Sequence, residues 1–131
     1  ERGITVIVNL APILPFMNDD MENIQGLLSY CVKAGVYGIL TDKMCPVLRE
    51  GNRERFYQQL YKNFPDIYDR YEAVYADEKT LKTKNYTEIM ACIRETCEAH
   101  GIQYDKEELL RFTREYKNKT IGTQLSLFDM M

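Results

Sequence analysis

Ile4-Thr5-Val6-Ile7-Val8-Asn9-Leu10-Ala11-Pro12-Ile13-Leu14-Pro15-Phe16-Met17-Asn18-Asp19-Asp20 decides the fold. It reads as a buried strand that stops at a proline-fixed loop and feeds directly into a helix. The apolar run is continuous rather than alternating, as in a parallel strand covered on both faces. Pro12 and Pro15 forbid a regular ladder beyond Ala11. The C-terminal end of the strand is therefore shaped as a loop, where parallel α/β folds carry their chemistry.

Working outward, Asp19 with Glu22 three residues on has the form of a capping box. It opens a helix from about Asp20 to Ala34 in which Met21, Ile24, Leu28, Cys31 and Val32 keep helical spacing, and Gly35 supplies the left-handed stop. Val36 to Thr41 reads as a second short buried strand, so the opening is a βαβ unit with parallel strands and a right-handed crossover. Upstream, Glu1-Arg2-Gly3 reads as the last turn of a preceding helix. Two parallel strands do not make a stable sheet alone, so further strands are expected before Glu1.

The remainder is helical in pattern. Asn52 is placed to cap a helix to Phe64, with Phe56, Leu60 and Phe64 a turn apart and Tyr57 over Tyr61. Pro65 breaks it and starts the next, which carries Ile67, Tyr71 and Val74 on one face. Ala76 to Lys84 reads as a polar connection containing a small basic loop, Lys79, Lys82 and Lys84. Asn85 with Glu88, and Asp105 with Glu108, open two more helices, with Ile89, Ile93 and Cys97 and then Leu109, Phe112 and Tyr116 facing inward. Periodicity ends at Lys117. The organisation expected is an α/β unit over 1–50, a helical extension over 51–116 and a tail over 117–131.

Of the 131 residues, 45% are hydrophobic and 28% charged, with a formal net charge of −3. This composition belongs to a globular chain. It carries no membrane-spanning run and no signal-peptide pattern, and its acidity argues against an indiscriminate polyanion-binding surface. Cys31, Cys45, Cys92 and Cys97 form no CxxC pair and have His100 as the single histidine beside them. That spacing argues against zinc and for reduced thiols in a cytoplasmic protein.

Gly3-Ile4-Thr5-Val6, Leu10-Ala11-Pro12-Ile13-Leu14-Pro15, Asn18-Asp19, Ala34-Gly35-Val36, Leu48-Arg49-Glu50-Gly51-Asn52-Arg53 and Phe64-Pro65 together resemble the C-terminal part of radical S-adenosylmethionine proteins. The nearest branch is that of spore photoproduct lyase and the DNA repair photolyase-like proteins. The resemblance runs from about Glu1 to Gly101 and rests on the order and spacing of short motifs. It implies the fifth strand, fifth helix and sixth strand of a partial TIM-type (β/α)6 barrel, followed by helices. It also implies S-adenosylmethionine and a [4Fe-4S] cluster in the parent protein, an enzyme of lyase type acting in nucleic-acid repair or modification. The CxxxCxxC cluster motif is absent from this chain, which by itself is expected to be inactive. Pro12, Ile13, Leu14, Ile39, Leu40 and Thr41 match the positions that border the S-adenosylmethionine pocket, and Arg49 falls on the substrate side. Beside this stands the plainer reading of Leu14 and Ile39 as core, of Asp19 as a helix cap and of Arg49 as an ion-pair partner of Glu50 or Glu54. Asp42-Lys43-Met44-Cys45-Pro46 departs from the glycine-rich strand exit of the branch.

A different kind of signal closes the chain. Gln124-Leu125-Ser126-Leu127-Phe128 matches the pentapeptide by which bacterial replication and repair proteins dock on the DNA polymerase sliding clamp. Gln124 would offer its amide at the pocket mouth, and Leu125, Leu127 and Phe128 would bury apolar surface. The competing readings are a tail folded back on its own domain and, for the chain as a whole, a non-enzymatic α/β interaction module. The ten tyrosines fit packing better than base stacking.

Overall fold

The computed structural model describes Gly3 to Glu115. Strand β1 (Ile7–Asn9) pairs in parallel with β2 (Gly38–Leu40), with Ile7 opposite Gly38 and Asn9 opposite Leu40. Helix α1 (Met21–Ala34) makes the crossover and ends at Gly35 in the left-handed conformation, whose N–H bonds the carbonyls of Cys31 and Val32. After β2 come α2 (Asn52–Asn63), α3 (Pro65–Val74), α4 (Tyr86–His100) and α5 (Lys106–Arg114). The α/β character and the parallel pairing expected from the opening stretch are present.

One addition lies beyond the second strand. Gln103 forms a parallel bridge with Gly38, accepting from the Ile39 N–H at 2.9 Å and donating to the Tyr37 carbonyl at 2.9 Å. The outer edge of β2 is thus covered over one ladder position. The far edge of β1 pairs with no strand among the described residues. Gly38 is required here by close approach, since a Cβ would stand 2.2 Å from Leu109 Cδ2 and 2.9 Å from the Gln103 carbonyl oxygen.

The described residues form two apolar cores. The first joins Leu10 and Ile13 with Ile24, Leu28 and Cys31 of α1, Ile39 of β2 and Ile89, Ile93 and Cys97 of α4. Helix α4 is therefore the partner of α1 against the sheet rather than part of an outlying extension. The second core belongs to the α2–α3 hairpin, where Leu60, Tyr71 and Tyr75 gather with Leu48, Leu81, Phe16 and Phe56. Pro65 is the first residue of α3, where its missing N–H is harmless and its fixed φ suits the helix.

Several local expectations give way to tertiary bonds. The α1 cap is Asp20, which accepts from the Asn23 N–H, and not Asp19. Gly51 at φ +88° precedes α2, so Asn52 is a helical residue and not its cap. Asn85 stands before α4 without a side-chain cap bond because its amide reaches the Asp19 carbonyl instead. Asp105 caps α5 as its spacing implies, accepting from Glu108 N–H. The segment read as a polar connection carries buried Leu81 and Thr83 and bridges antiparallel to Val47 through Thr80.

Candidate functional site

The C-terminal ends of β1 and β2 deliver two loops to one place. Leu10 N–H bonds the Leu40 carbonyl at 2.9 Å, and Ile13 N–H bonds the Met44 carbonyl at 2.7 Å, which ties the proline loop to the second strand's exit. The Ala11–Pro12 bond in this loop is cis. Asn18 then folds the loop on itself: its carboxamide oxygen accepts from Leu14 N–H at 2.6 Å and its NH2 donates to the Pro12 carbonyl at 3.2 Å. A single side chain satisfies two loop backbone groups that the prolines leave outside any ladder.

Asp19 continues the scaffold. Its carboxylate accepts from Phe16 N–H at 3.1 Å and from the Thr83 hydroxyl, and Thr83 Oγ1 in turn accepts from Asn85 N–H at 3.1 Å. Thr83 is 2% exposed and the one buried polar side chain among the described residues. This bond network holds Phe16 at φ +63°, a conformation uncommon for a bulky residue. The Phe16 ring meets Tyr71 edge-on at 5.9 Å, and the Arg70 guanidinium lies over it at 5.6 Å. Tyr71 donates its hydroxyl to the Pro15 carbonyl at 2.7 Å, and Tyr75 donates to the Lys82 carbonyl at 2.7 Å. Burial, with the Tyr75 and Asp19 charges adding to it, pushes the Tyr71 phenol far up, while burial raises Tyr75 to about 12. Both remain neutral hydrogen-bond donors.

The six positions assigned to a cofactor wall divide by burial. Ile13 and Ile39 are core side chains, 2% and 0% exposed. Pro12 is exposed, and Leu14, Leu40 and Thr41 are half-buried. The backbone of this group is largely committed, since the Pro12, Leu14, Leu40 and Thr41 carbonyls already accept bonds within the chain. Arg49 is exposed, its carbonyl accepting from Arg53 N–H. It pairs with neither Glu50 nor Glu54; the ion pairs among the described residues are Lys106–Asp42 at 3.6 Å and Arg111–Glu108.

No group of three His, Cys, Asp or Glu side chains among the described residues converges as a metal site. Cys31 and Cys97 are buried free thiols, and Cys45 and Cys92 are partly buried. Burial pushes the Cys97 thiol to about 11, the neighbouring Cys31 and Glu98 adding to it. Such thiols are poor nucleophiles. Gln124, Leu125, Leu127 and Phe128 lie outside the described residues. No helix among the described residues is long and apolar enough to cross a membrane.

Comparison with protein-family models, with curated proteins and with solved structures returns no match. Sequence reasoning missed Thr83 and Tyr71 as anchors of the strand-exit loop. Tyr71 carried a signal in its place on the apolar face of α3, whereas Thr83 sits among lysines and carried none.

Proposed function

We propose that this chain is the C-terminal part of a radical S-adenosylmethionine enzyme of the lyase-like branch that works in nucleic-acid repair or modification. In this reading β1 and β2 are the last strands of a partial (β/α)6 barrel and border the cofactor pocket. The observation that carries the reading is the far edge of β1, which pairs with no strand among the described residues, on a strand whose exit loop is fixed by the Asn18 and Asp19 side chains. An open edge on a parallel strand suits another strand of the same sheet, and the order of the resembling motifs supports an upstream barrel strand in that position.

The chain's own contribution is positional. Asn18 and Asp19 set the height of the Pro12–Leu14 loop, and Pro12, Leu14, Leu40 and Thr41 present an apolar wall suited to a purine face. S-adenosylmethionine and a [4Fe-4S] cluster would supply the radical chemistry, the cluster ligands coming from elsewhere in the parent protein.

The product of the whole reading frame, reconstituted anaerobically with iron and sulfide, is expected to show a reduced [4Fe-4S] signal and to release 5′-deoxyadenosine. Leu14→Asp should raise the KM for S-adenosylmethionine while leaving iron content unchanged. A reading frame without CxxxCxxC in the barrel-sized stretch before Glu1 would overturn the proposal. The partner reading carried by Gln124-Leu125-Ser126-Leu127-Phe128, docking on the bacterial sliding clamp, is compatible with a repair enzyme and is tested separately below.

A further inference from the structure

The two stretches that carry the chain out to the α2–α3 hairpin and back form a short antiparallel ribbon. Val47 bridges Thr80, with Leu48 N–H on the Lys79 carbonyl at 2.6 Å and Leu81 N–H on the Pro46 carbonyl at 2.9 Å. Along the returning strand burial alternates: Leu81 and Thr83 are buried, while Thr80, Lys82 and Lys84 are exposed. The outgoing strand follows the same rule, with Leu48 buried and Val47 and Arg49 exposed. A period of two on both strands separates an inner face, where Leu48 and Leu81 join the second core, from an outer one.

The ribbon is cationic. From Lys43 to Arg49 and from Lys79 to Asn85 the sequence holds five cations, Lys43, Arg49, Lys79, Lys82 and Lys84, and no Asp or Glu, in a chain whose formal net charge is −3. All of them are exposed. The ion pairs among the described residues use none of them, since Asp42, next to Lys43, is taken by Lys106 at 3.6 Å. Glu50 and Glu78 stand at the hairpin end, outside both stretches. Lys82 Nζ lies 4.4 Å from the centre of the Tyr86 ring, a contact that fixes the ammonium without neutralising it.

The ribbon adjoins the strand exits. The Met44 carbonyl accepts from Ile13 N–H of the proline loop at 2.7 Å, and the Thr83 hydroxyl donates to the Asp19 carboxylate. Charges set out along an exposed ribbon suit a polyanion better than a single phosphate, and the acidity of the remaining chain turns a polyanion toward them. We propose that this ribbon binds the phosphodiester backbone of a nucleic acid and holds it beside the strand exits. The choice of nucleic acid over another polyanion rests on the proposed repair function; the cationic surface does not depend on it. Ammonium groups and the Arg49 guanidinium neutralise phosphates without reading bases, so the contact positions a substrate and is indifferent to its sequence.

The test is fluorescence anisotropy of the whole chain with two labelled DNA duplexes of unrelated sequence, at salt from about 50 to 200 mM. Both duplexes should bind alike, with a Kd of roughly 10 µM at the lower salt and a slope of log affinity on log salt of about −3 to −4. Arg49→Gln with Lys82→Gln and Lys84→Gln should weaken binding roughly tenfold or more and remove about 1 from that slope per residue. Lys33→Gln with Lys62→Gln and Arg94→Gln removes the same charge from exposed helical positions and should bind nearly as the unsubstituted chain does. Equal weakening by the two triple variants would overturn the proposal, because net charge alone would then account for binding. So would a flat salt dependence or no binding by the unsubstituted chain, results that need no variant to fold. Polyglutamate competing as well as DNA would overturn the assignment to nucleic acid. Release of 5′-deoxyadenosine reads the enzyme proposal separately, so a chain that binds no DNA ends this inference and leaves that one standing.

Discussion

Replacing Thr83 with valine removes one hydroxyl and keeps the shape. In the folded chain that oxygen donates to the Asp19 carboxylate and accepts from Asn85 N–H at 3.1 Å, at a position 2% exposed. A hydrogen bond to a charged group contributes about 1.5–3 kcal/mol, and a buried N–H left without a partner costs about 1–3 kcal/mol. The added methyl returns about 0.8 kcal/mol. The net loss expected for Thr83→Val is about 2–5 kcal/mol, a large share of the roughly 5–15 kcal/mol that keeps a domain folded. At this chain length that corresponds to a Tm lowered by roughly 10 °C. Thermal and urea unfolding followed by circular dichroism measure it, with Thr83→Ser as the companion. Serine keeps both bonds and should lose only about 1 kcal/mol. The Phe16 amide, which shares the Asp19 carboxylate, should lose exchange protection in the valine variant alone. Equal losses for valine and serine would refute the reasoning, because the hydroxyl's bonds would then contribute nothing.

Gly38→Ala is expected to cost about 2–3 kcal/mol and to detach α5, since the new Cβ meets a backbone oxygen and a buried leucine that cannot both yield; amide exchange of α5 checks it, and a Tm within the error of the parent's refutes it. Stability should fall as pH rises from about 9 to 11. The unfolded Cys97 thiol ionises first while the folded one holds its proton to about 11, a loss of about 2–3 kcal/mol that urea titrations across this window would read and that Cys97→Ala should flatten. Leu127→Ala with Phe128→Ala should abolish capture by a bacterial sliding clamp and leave the melting curve of the domain unchanged; a marked drop in Tm with no binding by a tail peptide would instead place both residues in the protein's own apolar packing.

Long-period and glycine-terminated signals were legible in the sequence. The continuous apolar run marked the place of β1 but not its extent or burial, since the strand covers only Ile7–Asn9 and Ile4 and Val6 are exposed, whereas Gly35 gave the end of α1 and Pro65 the start of α3. Capping was legible only where no distant group competed. Asp105 caps α5, but Asp19 and Asn85, spelled like caps, are drawn off by each other and by Thr83 from 64 residues away in sequence. Local spacing carries no record of such a bond. The same holds for Leu81, a lone apolar residue among lysines, and for Gln103, whose pairing with Gly38 spans one ladder position and leaves no alternation to read. At the strand exits, residue type marked the loop correctly, and only packing could separate Ile13 and Ile39, turned into the core, from Pro12 and Leu14 beside them.

The bridge between Val47 and Thr80 sits where the chain leaves the first core and where it comes back. Leu48 N–H bonds the Lys79 carbonyl at 2.6 Å and Leu81 N–H bonds the Pro46 carbonyl at 2.9 Å. Everything between these points, the whole helical hairpin, hangs from a neck two strands wide. Such a geometry closes the hairpin at its base, while the Tyr71 hydroxyl on the Pro15 carbonyl and the Phe16–Tyr71 ring contact bind its body to the strand-exit loop. A hairpin zipped at its stem and bonded at its middle to the proline loop passes any shift of its helices on to the strand exits while the strands stay in register.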